Sequence, residues 1–259
     1  MSPAYRRVRL DLAYDGTDFA GWQLQAEGRT IQGTLEAALS RLQGDRPVRV
    51  RGAGRTDAGA HARGQVADCE LCTDKEDADL LHALRCMLPA DIAALDLRTV
   101  SRAFHSQRDA TGKTYRYLLD LTRHGDPLLA RYALRVRHRF DRELVDAVLS
   151  RLPGTRDWSG FAASACTVEN RTRRLTEARC LPAPDDKVWL SFTAGGFLTH
   201  MVRNVVGTLL EIARGQIRLE RVDEILATGD RTLAGPTAPA RGLYLWAVRY
   251  GDSHSQSVV

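Results

Sequence analysis

Val8, Leu10, Leu12 and Tyr14 alternate with Arg9, Asp11 and Ala13, the period of two that marks a strand with one buried face. Ile31, Leu35, Ala38, Leu39 and Leu42 then recur at helical spacing, with Thr30 placed as an N-cap and Gly44 as a stop. Two short extended pieces follow, near Pro47 to Arg51 and from Gln65 to Cys72, separated by a glycine-rich stretch from Gly52 to Gly64. A helix around Ala78 to Leu88 and a strand around Ile92 to Val100 complete a β-α-β-β-α-β order.

The second half repeats the scheme. Strands are predicted near Thr114 to Leu121 and Tyr132 to Arg137, then a helix carrying Leu144, Val145, Val148, Leu149 and Leu152. Arg173 to Cys180 and Val188 to Ala194 read as extended, a helix runs from about Leu198 to Arg214, and Leu243 to Tyr250 closes the pattern. The expected fold is α+β: two ferredoxin-like halves with mostly antiparallel sheets flanking a central cleft, where a site could sit. The N-terminal half spans residues 1–110 and the C-terminal half residues 111–250, with the boundary near Arg108 to Gly112. Residues 251–259 are polar and short of anchors, as in a flexible tail.

Composition narrows the class. At 259 residues, 44% hydrophobic and 27% charged, the chain suits a folded protein with one large or two modest cores. No apolar run approaches the about 20 residues of a membrane span, and the start of the chain lacks the apolar stretch of a secretory signal, so a cytoplasmic location is expected. The five cysteines lack the spacing of a disulfide scaffold. Cys69 and Cys72 form a CxxC, but on an alternating strand they would face opposite ways, and no further ligand pair completes a four-ligand zinc site. No metal is expected. The net charge of +5 is compatible with a polyanionic partner. Of the 37 basic residues only Lys75, Lys113 and Lys187 are lysines. Arginine suits RNA, since it forks onto phosphate and stacks on bases, but genome composition gives the same bias.

The densest chemical signal is Gly52-Ala-Gly-Arg-Thr-Asp-Ala-Gly-Ala-His61, a small-residue loop that holds Arg55 and Asp57. Glycines let a ligand come close to the backbone. The alternative is an Asx-turn in which Asp57 bonds its own loop. A dinucleotide fingerprint is excluded, because Asp57 stands where the third glycine is required.

That loop sits among segments that together resemble the TruA family of tRNA pseudouridine synthases. They are Tyr14-Asp-Gly-Thr-Asp-Phe-Ala-Gly-Trp-Gln23, Arg29-Thr-Ile-Gln-Gly33, Gly54-Arg-Thr-Asp-Ala-Gly-Ala-His-Ala62, Gly64-Gln-Val66 and Lys113-Thr-Tyr-Arg-Tyr117. Phe197-Leu-Thr-His-Met-Val-Arg-Asn-Val-Val-Gly-Thr-Leu209, Gly235-Pro-Thr-Ala-Pro239 and Gly242-Leu-Tyr-Leu245 follow, in the family's order. One departure falls at Phe104-His-Ser-Gln107, where the family carries an arginine soon after the histidine; Arg108 is the nearest replacement. Arg156 to Asn170 matches weakly.

The resemblance implies a pseudouridine synthase fold and isomerisation of uridine to pseudouridine at positions 38, 39 and 40 in the anticodon stem-loop of tRNA. The N1–C1′ bond breaks, the base turns, and C5 joins C1′. Nothing is added and no net redox change occurs, so no cofactor is required. Asp57 matches the family's essential aspartate, and Arg203 the basic residue that pairs with it. Tyr115 matches the tyrosine that stacks on the target base; by strand alternation alone it would be core. Arg55 matches the arginine that helps hold an extruded nucleotide, since a stem uridine must leave the stack to react. Gly242 to Leu245 would add an apolar wall. Arg131, Arg135, Arg137 and Arg139 would either line one strand face and touch tRNA phosphates or form a solvated basic face. The family resemblance further implies a homodimer. The competing readings are a non-catalytic tRNA-binding protein and a glycoside hydrolase, which ordinarily needs two carboxylates.

Overall fold

The computed structural model describes residues 5–251, so of the tail expected over Gly251 to Val259, residues 252–259 lie outside the described residues. The chain divides into two compact units, residues up to Thr111 together with Leu245 onward, and Gly112–Tyr244. No described helix is long and apolar enough to cross a membrane.

The first unit begins with β1 (Tyr5–Tyr14), α1 (Ile31–Leu42), β2 (Arg51–Gly52), β3 (His61–Cys72), α2 (Asp77–Met87) and β4 (Ile92–Val100). β1 lies between β3 and β4 and is antiparallel to both, with Leu10 opposite Ala67 on one side and Leu97 on the other. β2 pairs β3 antiparallel. Of the predicted strand near Pro47 to Arg51 only Arg51 lies in β2. The Thr30 cap is as expected, its side-chain oxygen accepting from Gly33 N at 3.1 Å.

One expectation about β1 fails. Alternation predicted a strand with a polar, solvated face, yet Arg9 and Asp11 are buried together with the apolar row. The Arg9 Nε to Asp11 Oδ1 contact of 2.7 Å satisfies both charges, and the Tyr250 ring lies 4.8 Å from the guanidinium. A buried charge pair of this kind is tolerated when hydrogen-bonded and covered on all sides. Cys69 and Cys72 are buried thiols that form no disulfide, and burial pushes the Cys69 thiol up.

The second unit is built from β5 (Ala110–Asp120), β6 (Leu134–Arg135), α3 (Arg142–Ser150), β7 (Gly154–Asp157), β8 (Thr172–Ala183), β9 (Lys187–Ala194), α4 (Met201–Ala213) and α5 (Arg221–Thr228). Its strands run in the order β5-β9-β8-β7 through antiparallel pairs, and β6 adds a parallel pair to β5. β7, α5 and the short 3-10 turns were not predicted. β7 is exposed on every residue, so no apolar rhythm announced it. The strand expected from Tyr132 to Arg137 shortens because Leu129 O accepts the Tyr132 and Ala133 N–H groups, holding a turn into that stretch. β10 (Leu243–Tyr250) carries the chain back, and from Leu245 it belongs to the first unit, beside β3.

Candidate active site

In the first unit, the loop from Gly52 to His61 is held from outside by the Tyr14–Gln23 segment. Trp22 N donates to Thr56 O at 3.0 Å, and Gly59 N to Phe19 O at 3.3 Å. Tyr14 Oη and Thr56 Oγ1 share a 2.8 Å hydrogen bond. Burial pushes the Tyr14 phenol up to about 12, so it stays a neutral hydroxyl. Gly16 N donates to Nδ1 of the buried His61 at 3.1 Å. From the other side Gln65 grips Gly54 twice, donating from Nε2 to its carbonyl at 2.7 Å and accepting its N–H at 3.3 Å.

The Arg29–Gly33 segment braces that support in turn. Gln32 N donates to Trp22 O, and Gln32 Oε1 accepts from Gln23 Nε2 at 2.7 Å and Leu24 N at 2.9 Å. Asp57 is therefore half-buried on a turn that Ala60 N closes onto Asp57 O at 3.1 Å, and Arg55 is exposed two residues earlier. Fixing a loop by its backbone leaves its side chains available for chemistry.

Tyr115 and Arg203 are placed by the second unit. Tyr115 is buried on β5 opposite Phe192, with the Phe197 ring edge-on at 5.0 Å. Its hydrophobic surroundings fit both the core reading and a ring that receives a base. Arg203 is half-buried in the first turns of α4, where the Gly235–Pro239 segment clamps it. Arg203 Nε donates to Ala238 O at 2.7 Å, and Ala238 N returns a bond to Arg203 O at 3.1 Å. Tyr117 Oη donates to the next carbonyl, Pro239 O, at 2.7 Å, and burial keeps that phenol protonated. Thr237 Oγ1 donates to Oδ1 of the fully buried Asn204 at 2.6 Å. Consecutive carbonyls of one segment thus tie the Arg203 guanidinium to the strand that bears Tyr115.

Sequence reasoning missed several supports. Asp68 is fully buried on β3, receiving Arg7 Nη1 at 2.7 Å and Ser106 N at 2.9 Å, with Arg51 paired to it at 2.5 Å. Ser106 Oγ donates to Arg51 O and Tyr250 Oη to Ser106 O, so the departing Phe104–Gln107 segment is latched to β2 and β3. Burial, then the Arg51 and Arg108 charges, hold the His105 imidazole below its ordinary range, and its Nδ1 accepts the Gln107 and Arg108 N–H groups. Arg108 itself is exposed. Arg131, Arg135, Arg137 and Arg139 are all exposed, but only Arg135 lies in a strand, so they do not share one strand face. Gly242, expected in an apolar wall, packs against the Tyr117 ring, and Leu243 and Leu245 are buried.

The family model for tRNA pseudouridine synthases matches residues 12–107 and 148–251. A tRNA pseudouridine synthase A of Streptococcus mutans is 41% identical over 249 residues, covering 95% of this chain and 99% of that protein. One of Solidesulfovibrio magneticus is 46% identical over 253 residues, covering 95% and 91%. Among solved structures, a chain of a Cbf5-Nop10-Gar1 complex aligns with a TM-score of 0.32 and 14% identity over 79% of this chain. This chain spans 54% of that one.

The chain is an isomerase by family. It belongs to the tRNA pseudouridine synthases, among the relatives that carry the name tRNA pseudouridine synthase A.

Proposed function

We propose that the chain isomerises uridine to pseudouridine at positions 38, 39 and 40 of the tRNA anticodon stem-loop, with Asp57 as the catalytic carboxylate. The observation that carries this reading is the support around Asp57: two separate motif segments and Gln65 fix the backbone of its loop and leave a carboxylate among small residues. An ionised carboxylate can attack C1′, stabilise positive charge there, or take a sugar proton as the N1–C1′ bond breaks. C5 then bonds to C1′, and the proton on C5 leaves to restore the ring, a transfer that the Tyr115 hydroxyl can assist. The ring of Tyr115 receives the flipped base, Arg55 holds the extruded nucleotide, and Arg203 serves as the basic residue of the site.

In the same reading the two units are ferredoxin-like halves. The β4-β1-β3 order with β2 on β3 in the first unit, and β5-β9-β8 in the second, support it. The protein acts as a cytoplasmic homodimer, needs no cofactor, and has Leu243 and Leu245 forming an apolar wall.

The test is Asp57→Asn, with pseudouridine mapped in unmodified tRNA transcripts and tRNA affinity measured beside it. The expected result is retained tRNA binding with no pseudouridine. Isomerisation by the variant refutes the assignment of Asp57. A wild-type protein that binds tRNA and never converts a uridine supports a non-catalytic binding protein, and base-excised tRNA would indicate a hydrolase.

A further inference from the structure

β5 carries Lys113 two residues before Tyr115, and alternation puts both on one face. Lys113 is only 9% exposed. Among the described residues its side chain has neither a carboxylate nor a hydrogen-bond partner. Burial first, and then the charge of Arg173, hold its ammonium below the ordinary lysine range.

Cross-strand register shows how the two cations come together. Lys113 is opposite Ala194 on β9, and Ala194 is opposite Leu175 on β8, two residues after Arg173. Cross-strand partners share a face, so Lys113, Ala194, Leu175 and Arg173 project on the same side as Tyr115 and Phe192. Arg173 is held in place by Nη1 donating to Asn170 O and Thr172 O, both at 2.7 Å.

Just past Ala194 the chain leaves β9 as Gly195-Gly196-Phe197. A Cβ at Gly195 would meet nothing within 4 Å, and one at Gly196 would meet only the Arg173 side chain, from 3.7 Å. The same turn delivers Phe197 to the Tyr115 ring. Two like charges beside open backbone are unfavourable by themselves, since desolvation and repulsion both oppose them. An anion seated between them reverses both effects, and glycine backbone lets a phosphate approach.

We infer that Lys113 and Arg173, with the Gly195–Gly196 backbone, form a phosphate site that grips the tRNA backbone next to the nucleotide stacked on Tyr115. The inference rests on the proposed function, and it supplies what a ring alone lacks: a fixed anchor for the strand on either side of an extruded base. Both residues bind the backbone and take no part in bond exchange.

The experiment measures tRNA affinity from about 50 to 200 mM salt for Lys113→Gln, Arg173→Gln and Arg218→Gln, together with the single-turnover rate at saturating tRNA. Arg218 is exposed and far along the chain, and controls for a general loss of charge. Lys113→Gln and Arg173→Gln should each weaken binding about tenfold and lower the salt slope by about one counterion. Their saturated rates should stay within about threefold of wild type, and Lys113→Arg should restore the slope. Thermal unfolding identifies a variant that fails to fold; should Lys113→Gln be one, Arg173→Gln, half-exposed, decides alone. Wild-type affinity and slope in a folded Arg173→Gln, or an equal loss in Arg218→Gln, overturns the inference. A wild-type protein that forms no pseudouridine defeats the functional reading instead, so the two failures are distinct.

Discussion

Replacing Gly16 with alanine tests whether the Asp57 loop is positioned by backbone contact. A Cβ at Gly16 would stand 1.8 Å from Ala60 O and 2.7 Å from its carbonyl carbon, and neither is an atom that can rotate away. Cβ contacts below 3.0 Å are not sustained, so the two segments must part by about 1.2 Å. Gly16 cannot retreat freely, because its N–H is bonded to His61, its carbonyl receives Phe19 N, and Asp15 N is bonded to Asp91 O. Ala60 must therefore give way. Its N–H bonds Asp57 O at 3.1 Å, so the displacement reaches the carboxylate within three residues. A misplacement of roughly 1 Å at reacting groups costs on the order of a hundredfold in rate, and overpacking costs about 1–3 kcal/mol in stability. Gly16 has no positive φ, so the close contact is the whole effect. Single-turnover pseudouridine formation should drop about a hundredfold, with tRNA affinity within about threefold and a lowered denaturation midpoint. A Gly16→Ala enzyme that folds and reacts at the wild-type rate would refute the reasoning.

Two other perturbations probe the supports of each unit. Burial alone would raise the Asp68 carboxyl, but hydrogen bonds from Arg51 and Ser106 prevail and hold it below the usual carboxylate range. A folded-state value below the unfolded value of about 3.9 gives stabilisation that is complete above that pH and is lost as pH falls through the folded value. Acid titration of unfolding free energy should thus show a decline below about pH 4 that Asp68→Asn flattens, and at neutral pH that variant should lose about 3–5 kcal/mol by stranding its arginines. An unchanged acid limb in Asp68→Asn counts against the latch. In the second unit a Cβ at Gly207 would stand 1.7 Å from Pro236 O. Gly207→Ala should push the Gly235–Pro239 segment off α4, cost about 1–3 kcal/mol by chemical denaturation, and slow isomerisation by loosening Arg203; full stability and full activity together would show that the segment is not a clamp.

The elements with a single strong rhythm were readable from the chain. Ile31, Leu35 and Leu39 form the buried stripe of α1, and Thr30 caps it, because a helix packed on one side must repeat its apolar residues every three to four positions. The Ile92 to Val100 strand begins and ends where alternation does. Reading failed where a residue's environment comes from elsewhere in the chain. Arg9 and Asp11 carry the pattern of a wet face, yet both are buried, and the Tyr250 ring that covers the Arg9 guanidinium comes from more than two hundred residues later. β7 has no apolar residue to announce it and exists because β8 offers it an edge. The candidate site divides the same way. Asp57 and Arg55 stood out locally among small residues, whereas Tyr115 and Arg203 look like core positions until a family resemblance singles them out. Lys113 left a local trace, as one of three lysines in an arginine-rich chain, but its burial beside Arg173 depends on the register of three strands.

Both units solve the same positioning problem by the same physical means. Gly16 against Ala60, and Gly207 against Pro236, bring backbone onto backbone at distances that no side chain could enter. A side chain seated in a hydrophobic pocket can change rotamer and shift by an ångström at little cost, but a carbonyl held by hydrogen bonds at its own residue and its neighbours has no such freedom. In the first unit the restraint passes from Gly16 through Ala60 to Asp57, and in the second from Gly207 through Pro236 and Ala238 to Arg203. The motif segments packed against Asp57 and Arg203 therefore hold each of these residues in a rigid frame. Rate should respond to the loss of either glycine more steeply than tRNA affinity does, because affinity is spread over many contacts and the geometry of bond exchange is not.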